Sequence, residues 1–296
     1  MGIQFRNYIN ETGITEDYFK VRSFLVKLGS TNYTYARWDW MITHSHLDQY
    51  ALGKIGLWED SNQIIGVALY DVKIGYAYCL ALPDYEYMKK EMLLYAKENL
   101  SKDTEFAVVI PDTDINFQDI ATNLGFMPTT HKECDAIFYI EKTGTDYSLP
   151  EGFRLTTMKE TYSPFQYRRV LWKGFNHEIN GEGEFAFSEE QEKEVKCEML
   201  RPNVDLNLKI AVVAPDGNFV SYCGMWYDDQ TDFAIIEPVA TDPDYRKMGL
   251  GKAAVLEGIR RVGELGAKRV LVGSSQQFYY SIGMRPFSSA TEWKSK

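Results

Sequence analysis

The sequence predicts a mixed α/β (α+β) protein made of two tandem copies of one unit, each a mixed sheet with helices. Three observations carry this. Short β-like runs alternate with helical periodicity along all 296 residues. The same order of runs then occurs twice. Finally, landmarks at corresponding places keep nearly constant offsets: Tyr70-Asp71 against Tyr227-Asp228, Pro83-Asp84-Tyr85 against Pro243-Asp244-Tyr245, and Gly125 with Pro128 against Gly283 with Pro286. Independent loops would not hold register over such a length, so the pattern is that of a duplication.

In the first half, "QIIGVALYD" and "GYAYCLALP" read as adjacent strands. A helix follows with Met88, Met92 and Tyr95 on one face, then a buried strand "EFAVVI", a short helix and "LGFMP". The aromatic stretch "TNYTYARWDWM", 31 to 41, reads as core packing. Gly, Ser and Pro interrupt the periodicity in "EKTGTDYSLPEG", 141 to 152, which places one domain at 1–145 and the other at 151–296. The second half is expected to open with strand "FRLTTM" and an amphipathic helix near 162 to 176. The strands "LKIAVVA", "FVSYCGMWYD" and "DFAIIEPVATDP" come next. A helix with Val255, Ile259 and Val262 on one face, a strand "KRVLVGSS", a short helix and "IGMRP" complete it.

Composition sets outer bounds. A chain 45% hydrophobic can bury a sizeable core in each of two domains. Its net charge of -10 argues against a nucleic-acid partner. No apolar run reaches the roughly 18 residues of a membrane span. The opening "MGIQFRNYINETG" has neither the apolar core of a signal peptide nor the Ser or Thr that myristoylation requires, so a cytoplasmic location is expected. Cys79, Cys134, Cys197 and Cys223 are scattered singly, and His44 and His46 have no partner at ligand spacing; no metal site is suggested, and His177 beside Glu178 reads as a satisfied or exposed histidine, with a base as its alternative. The chain is expected to work as a monomer or homodimer.

The chemistry-bearing residues lie in the second half. Pro238 interrupts the alternation of "DFAIIEPVATD" and cannot donate to a ladder, so it belongs at a bulge or where two strands part. Backbone groups at Val239 and Ala240 would then be free for a ligand lying along the strand. The segment Arg246, Lys247, Met248, Gly249, Leu250, Gly251, Lys252 follows at the start of a helix. Glycines that let the backbone turn its N–H groups inward, the positive end of the helix dipole and three basic side chains together suit a pyrophosphate. Neither G-x-G-x-x-G nor a Walker A loop is present.

These residues carry a resemblance. "EPVATDPDYRKMGLGKAA" followed by "VLVGSSQQFYYSIGMRPF" resembles the GNAT acyltransferase superfamily, with Arg246, Gly249 and Gly251 meeting R-x-x-G-x-G and Tyr279, Gly283 and Met284 meeting the later Y-x-x-x-G-[FM] pattern. It is strong over 207 to 288 and extends more weakly over the duplicated chain. The resemblance implies acetyl-coenzyme A with its pyrophosphate on 246 to 252 and its pantetheine arm along Val239 and Ala240. Met284 stands in place of the usual Phe, and the Asn that many members carry before the tyrosine helix is absent.

Transfer of an acyl group from a thioester to an amine needs a base for the amine, an acid for the departing thiolate and a donor for the oxyanion. Tyr279, a phenol of ordinary pKa about 10, suits the acid role, with Tyr280 its neighbouring alternative. Glu237, just before the slot, suits the base, and the N–H near Val239 the oxyanion donor. The loop "NHEINGEGEFAF", 176 to 187, offers Glu178, Glu182 and Glu184 to a cationic acceptor. Ser188 to Gln191 reads as a capping box, which makes the following glutamates helix surface.

Aligned on Pro-Asp-Tyr, the first copy has Glu86 for Arg246, Lys89 for Gly249, Glu91 for Gly251, Ala77 for Glu237 and Ala121 for Tyr279. It lacks every feature proposed to act. The expectation is therefore acetyl transfer to a primary amine of a small molecule or peptide by the second domain, beside a degenerate first copy. The alternatives are a non-catalytic coenzyme A sensor or scaffold, and aminoacyl transfer to an amine.

Overall fold

The computed structural model describes residues 2–42, 44, 46–140, 145–201 and 203–295. The expected domain boundary, 141 to 152, thus lies partly outside the described residues. The first copy runs β1 (Gln4–Asn7), α1 (Glu16–Leu28), α2 (Tyr35–Met41), β2 (Gly56–Asp60), β3 (Gln63–Asp71), β4 (Lys73–Ala81), α3 (Lys89–Asn99), β5 (Ala107–Pro111), α4 (Ile115–Asn123) and β6 (Phe126–Tyr139). The second repeats that order: β7 (Arg154–Thr157), α5 (Pro164–Gly174), α6 (Glu189–Met199), β8 (Lys209–Val213), β9 (Phe219–Tyr227), β10 (Phe233–Thr241), α7 (Leu250–Leu265), β11 (Arg269–Val272), α8 (Gln277–Ser281) and β12 (Arg285–Ser295).

Compactness divides the chain elsewhere than the 1–145 and 151–296 of the sequence pattern. One unit is 1–135 with 286–296, and the other is 136–285. The copies have exchanged their last strands. In the first unit β12 pairs antiparallel with β5, from Ala290 opposite Pro111 to Lys294 opposite Ala107. In the second, Ala136–Tyr139 of β6 pair antiparallel with β11. A strand's partner is chosen by its hydrogen bonds and not by its place in the chain, which is why periodicity alone misses the exchange.

In the first unit the order is β1-β2-β3-β4-β5-β12-β6, with β1·β2, β2·β3, β3·β4 and β5·β12 antiparallel and β4·β5 parallel. Tyr35, Trp38 and Met41 of α2 are buried, as the aromatic stretch predicts.

In the second unit the order is β7-β8-β9-β10-β11-β6, with β10·β11 the parallel pair. Alternation along β8 divides the core: Ile210 and Val212 pack with Val255 and Ile259 of α7, while Ala211 and Val213 pack with Tyr167 and Val170 of α5 and Val195 of α6. Ser163 caps α5, with Pro164 at its first turn. Ser188 and Gln191 form the expected capping box on α6. Gly266, at φ 115, ends α7.

Candidate active site

β10 and β11 pair only from Phe233 opposite Arg269 to Ile235 opposite Leu271, and then part. On its other edge β10 breaks register with β9 between Ile236 and Val239 and resumes with Val239 opposite Cys223. Glu237 and Pro238 form this bulge, joined by a cis peptide bond. From Ile236 on, β10 therefore has no ladder partner toward β11 among the described residues, and the slot predicted at Pro238 is present.

Backbone direction selects the groups that face it. The Asp242 N–H donates to the Val220 carbonyl at 2.9 Å, and the Ala240 carbonyl accepts from Ser221 Oγ at 3.1 Å, so residues 240 and 242 point toward β9. Successive residues alternate. Val239 and Thr241, and not Ala240, thus direct their N–H and C=O groups away from β9, although the Thr241 carbonyl already accepts from Arg246.

The β10-to-α7 loop ends in an uncapped helix N-terminus. Gly249 is the N-cap at φ 82, no side chain caps the helix, and Lys247 is also left-handed at φ 64. Arg246 N–H is bonded to Pro243 and Ala253 N–H to Gly249. Between them, the N–H groups of Lys247 to Lys252 have no backbone or capping hydrogen bond among the described residues, as the first turn of a helix leaves them. They gather at the positive end of a 16-residue helix, the geometry that accepts a phosphate.

The two glycines serve different ends. A Cβ at Gly249 would meet nothing within 4 Å, so this position is set by its left-handed backbone and opens outward. A Cβ at Gly251 would lie 3.0 Å from Thr241 Oγ1 and 3.4 Å from the Phe278 ring, so this glycine lets α7 pack closely. Met248 is exposed, and the side chain of Leu250 is core. Arg246 is committed elsewhere than the sequence suggests. Its guanidinium donates to the carbonyls of Thr241 (3.2 Å) and Gly174 (2.8 Å) and to Asn176 Oδ1 (2.7 Å), tying the end of α5 to the end of β10. Lys247 and Lys252 are the other exposed cations of the loop.

Tyr279, on α8, is buried among the residues packed on α7. Burial foremost, and then its electrostatic surroundings, Glu237 among them, push its phenol well above the ordinary tyrosine range. Such a group stays protonated and can act only as an acid. Glu237 is half-buried at the bulge, and its charge is felt by both Tyr279 and Lys209. The structure thus brings Tyr279, Glu237 and Val239 together around the parting strands, with the 246–252 loop at the far end of β10.

Residues 172–284 match the acetyltransferase (GNAT) family model. That segment of the second unit is GNAT-like in sequence. Solved structures share the fold along nearly the whole length of the chain. A GCN5-related N-acetyltransferase from Sphaerobacter thermophilus matches with TM-score 0.61 at 13% identity, covering 99% of this chain and 95% of its own. The tandem GNAT protein of the clavulanic acid biosynthesis pathway matches with TM-score 0.63 at 11% identity, covering 99% and 98%. L-PGS from Bacillus licheniformis matches with TM-score 0.53 at 14% identity, covering 96% and 93%. No curated protein matches the chain by sequence.

Three contributors to this site escaped the sequence pattern. Gly174 is one: a Cβ there would lie 2.6 Å from Ala240 Cβ and 2.8 Å from the Thr241 N, so α5 could not close on β10 with a larger residue. Gly224 is another, since its Cβ would approach the Glu237 carbonyl oxygen to 2.5 Å. The third is Lys209, which as a lysine opening a strand reads as solvated but is 3% exposed. The 176–187 loop largely satisfies itself. Glu178 pairs with Lys173 (3.1 Å) and accepts the Phe185 N–H, and Glu182 lies 2.9 Å from His177 Nδ1. Among the described residues, Glu184 is the one of these three carboxylates without such a pairing. Among the described residues no metal-holding cluster occurs, and no helix is long and apolar enough to cross a membrane.

Proposed function

We propose that the second unit transfers an acetyl group from acetyl-coenzyme A to a primary amine of a small molecule or peptide. The observation that carries this is the continuity of one edge: among the described residues β10 has no partner on its β11 side from Ile236 on, and that open side leads to the backbone N–H groups exposed at the start of α7. A long ligand with a diphosphate at one end and an amide-bearing arm fits such an edge, the arm added as a strand and the diphosphate held by backbone donors. Acetyl-coenzyme A, when bound, supplies the thioester.

The residues of this chain supply the rest. Val239 presents its N–H to the slot at a bulge fixed on both sides, where it can receive an oxyanion without reorganising. In this reading Glu237 takes the proton of the acceptor ammonium, directly or through a water. Tyr279, held protonated by its surroundings, delivers a proton to the departing thiolate.

The test is release of free coenzyme A from acetyl-coenzyme A against a panel of primary amines, run beside calorimetric titration of acetyl-coenzyme A. Amine-dependent thiol release is expected. Binding without thiol release for any amine would replace catalysis by a sensing role, and absence of binding would remove the cofactor from this edge.

A further inference from the structure

Lys209 stands where an apolar side chain would be less costly. It opens β8 and is 3% exposed; Glu198 and Glu237 act on it electrostatically, but none of the ion pairs among the described residues includes it. A buried ammonium without an ion pair is strongly disfavoured, so its presence does not serve stability. What it touches is specific. Its Nζ donates to the Met225 carbonyl at 2.9 Å and sits 3.6 Å from the centre of the Trp226 ring. The Trp226 indole N–H in turn donates to the Glu237 carbonyl at 2.8 Å.

That carbonyl belongs to the first residue of the bulge. It is set from one side by the Trp226 N–H and from the other by Gly224, which leaves it room. Lys209 and Gly224 are opposed in the ladder, so ammonium, glycine and bulge form one row across β8, β9 and β10. Only Pro238 separates the Glu237 carbonyl from the Val239 N–H. A small displacement of the carbonyl therefore re-aims both that donor and the Glu237 side chain. A cation on an indole face also draws electron density from the ring, which strengthens the N–H as a donor.

Resting on the acetyl-transfer reading above, we propose that Lys209 is a positioning residue of the transfer site, acting through the Trp226 indole to fix the Glu237–Val239 bulge. Burial foremost brings its amine down to about 7, so its charge changes near neutrality. The groups that modulate it are Glu198 on α6, Cys223 on β9 and Glu237 on β10, which raise it, and Arg201 beyond α6, which lowers it.

The experiment compares wild type, Lys209→Met and Trp226→Phe in two readouts. In kinetics, both variants should keep the affinity for acetyl-coenzyme A within about threefold and lose kcat by roughly 10- to 100-fold, the scale of a misplaced reacting group. Wild-type kcat should follow an ionisation near pH 7 that Lys209→Met lacks. The second readout needs no turnover. The Trp226 indole N–H resonance, assigned by its loss in Trp226→Phe, should shift with pH through that ionisation in wild type and stay fixed in Lys209→Met. An indole resonance that does not titrate in wild type overturns the proposal, as does an active wild type whose kcat and pH profile survive Lys209→Met. An inactive wild type with a titrating indole would sink the acetyl-transfer reading and leave the lysine–indole coupling standing.

Discussion

At the scale of single residues the site depends on groups whose protonation the fold has set. Tyr279 is kept neutral by burial first and then by its electrostatic surroundings, Glu237 among them. Tyr279→Phe should accordingly retain acetyl-coenzyme A affinity and lower kcat by about 10² to 10⁴, because only a transferable proton is lost. Steady-state kinetics beside calorimetry checks this, and the same loss in Tyr280→Phe with Tyr279→Phe silent would move the acid by one residue. Lys209 gives a prediction on stability. Its folded pKa, about 7, lies below the unfolded value of roughly 10.4. Between those values the unfolded chain holds a proton that the folded chain has released, so wild-type stability should rise with pH across the window. Lys209→Met lacks that slope. The variant should be the more stable protein most clearly below pH 7, by on the order of 1 kcal/mol for each pKa unit of depression. Its advantage should shrink toward pH 10. Denaturant unfolding at several pH values measures this, and parallel curves for the two proteins would show that the amine is not desolvated in the native state.

At the scale of elements, the cradle at the head of α7 separates two glycines that the motif treats alike. Gly251 faces Thr241 and Phe278, so any side chain there disturbs packing before it meets a ligand. Gly249 faces open space and is held by its backbone alone. Gly249→Glu should weaken acetyl-coenzyme A binding at least ~10-fold, or ~1.4 kcal/mol, by setting a carboxylate before the helix N-terminus. Gly249→Ala should cost mainly about 1 kcal/mol of folding stability from the left-handed backbone. Unchanged titrations for Gly249→Glu would take the diphosphate away from this loop. The cradle was legible in the sequence because glycine, proline and basic residues mark local backbone geometry. The commitment of Arg246 to Gly174 and Asn176 was not, since those partners lie 72 and 70 residues away. Lys209 was invisible for a related reason: the depth of a strand's first residue is decided by α6 and β9, and no local pattern carries it.

At the scale of the whole chain, the duplication was legible from constant offsets, and both copies do repeat one order of ten elements. The exchange of final strands was not, because β6 and β12 have the same alternation whichever β5-like strand receives them. The two copies differ most where a cofactor would lie. In the first unit β4 and β5 also part after a short parallel pairing, Tyr76 opposite Ala107 and Ala77 opposite Val108. A cavity of about 380 Å³ remains between them, lined by Cys79, Ala81, Glu86, Lys89 and Asp114. Here the position of Gly249 is taken by Lys89, buried and paired with Glu86 (2.8 Å) and with Asp114. Two carboxylates against one ammonium leave the site negative, and Glu91, in the place of Gly251, accepts from the Trp58 indole. A diphosphate would meet repulsion there and no outward-facing glycine to admit it. Each chain should therefore bind one coenzyme A. Calorimetric titration of the full chain should give a stoichiometry near one, abolished by Gly249→Glu and untouched by Lys89→Met. A stoichiometry near two, or a site that survives Gly249→Glu and is lost with Lys89→Met, would place the cofactor in the first copy and reverse the division of labour between the two.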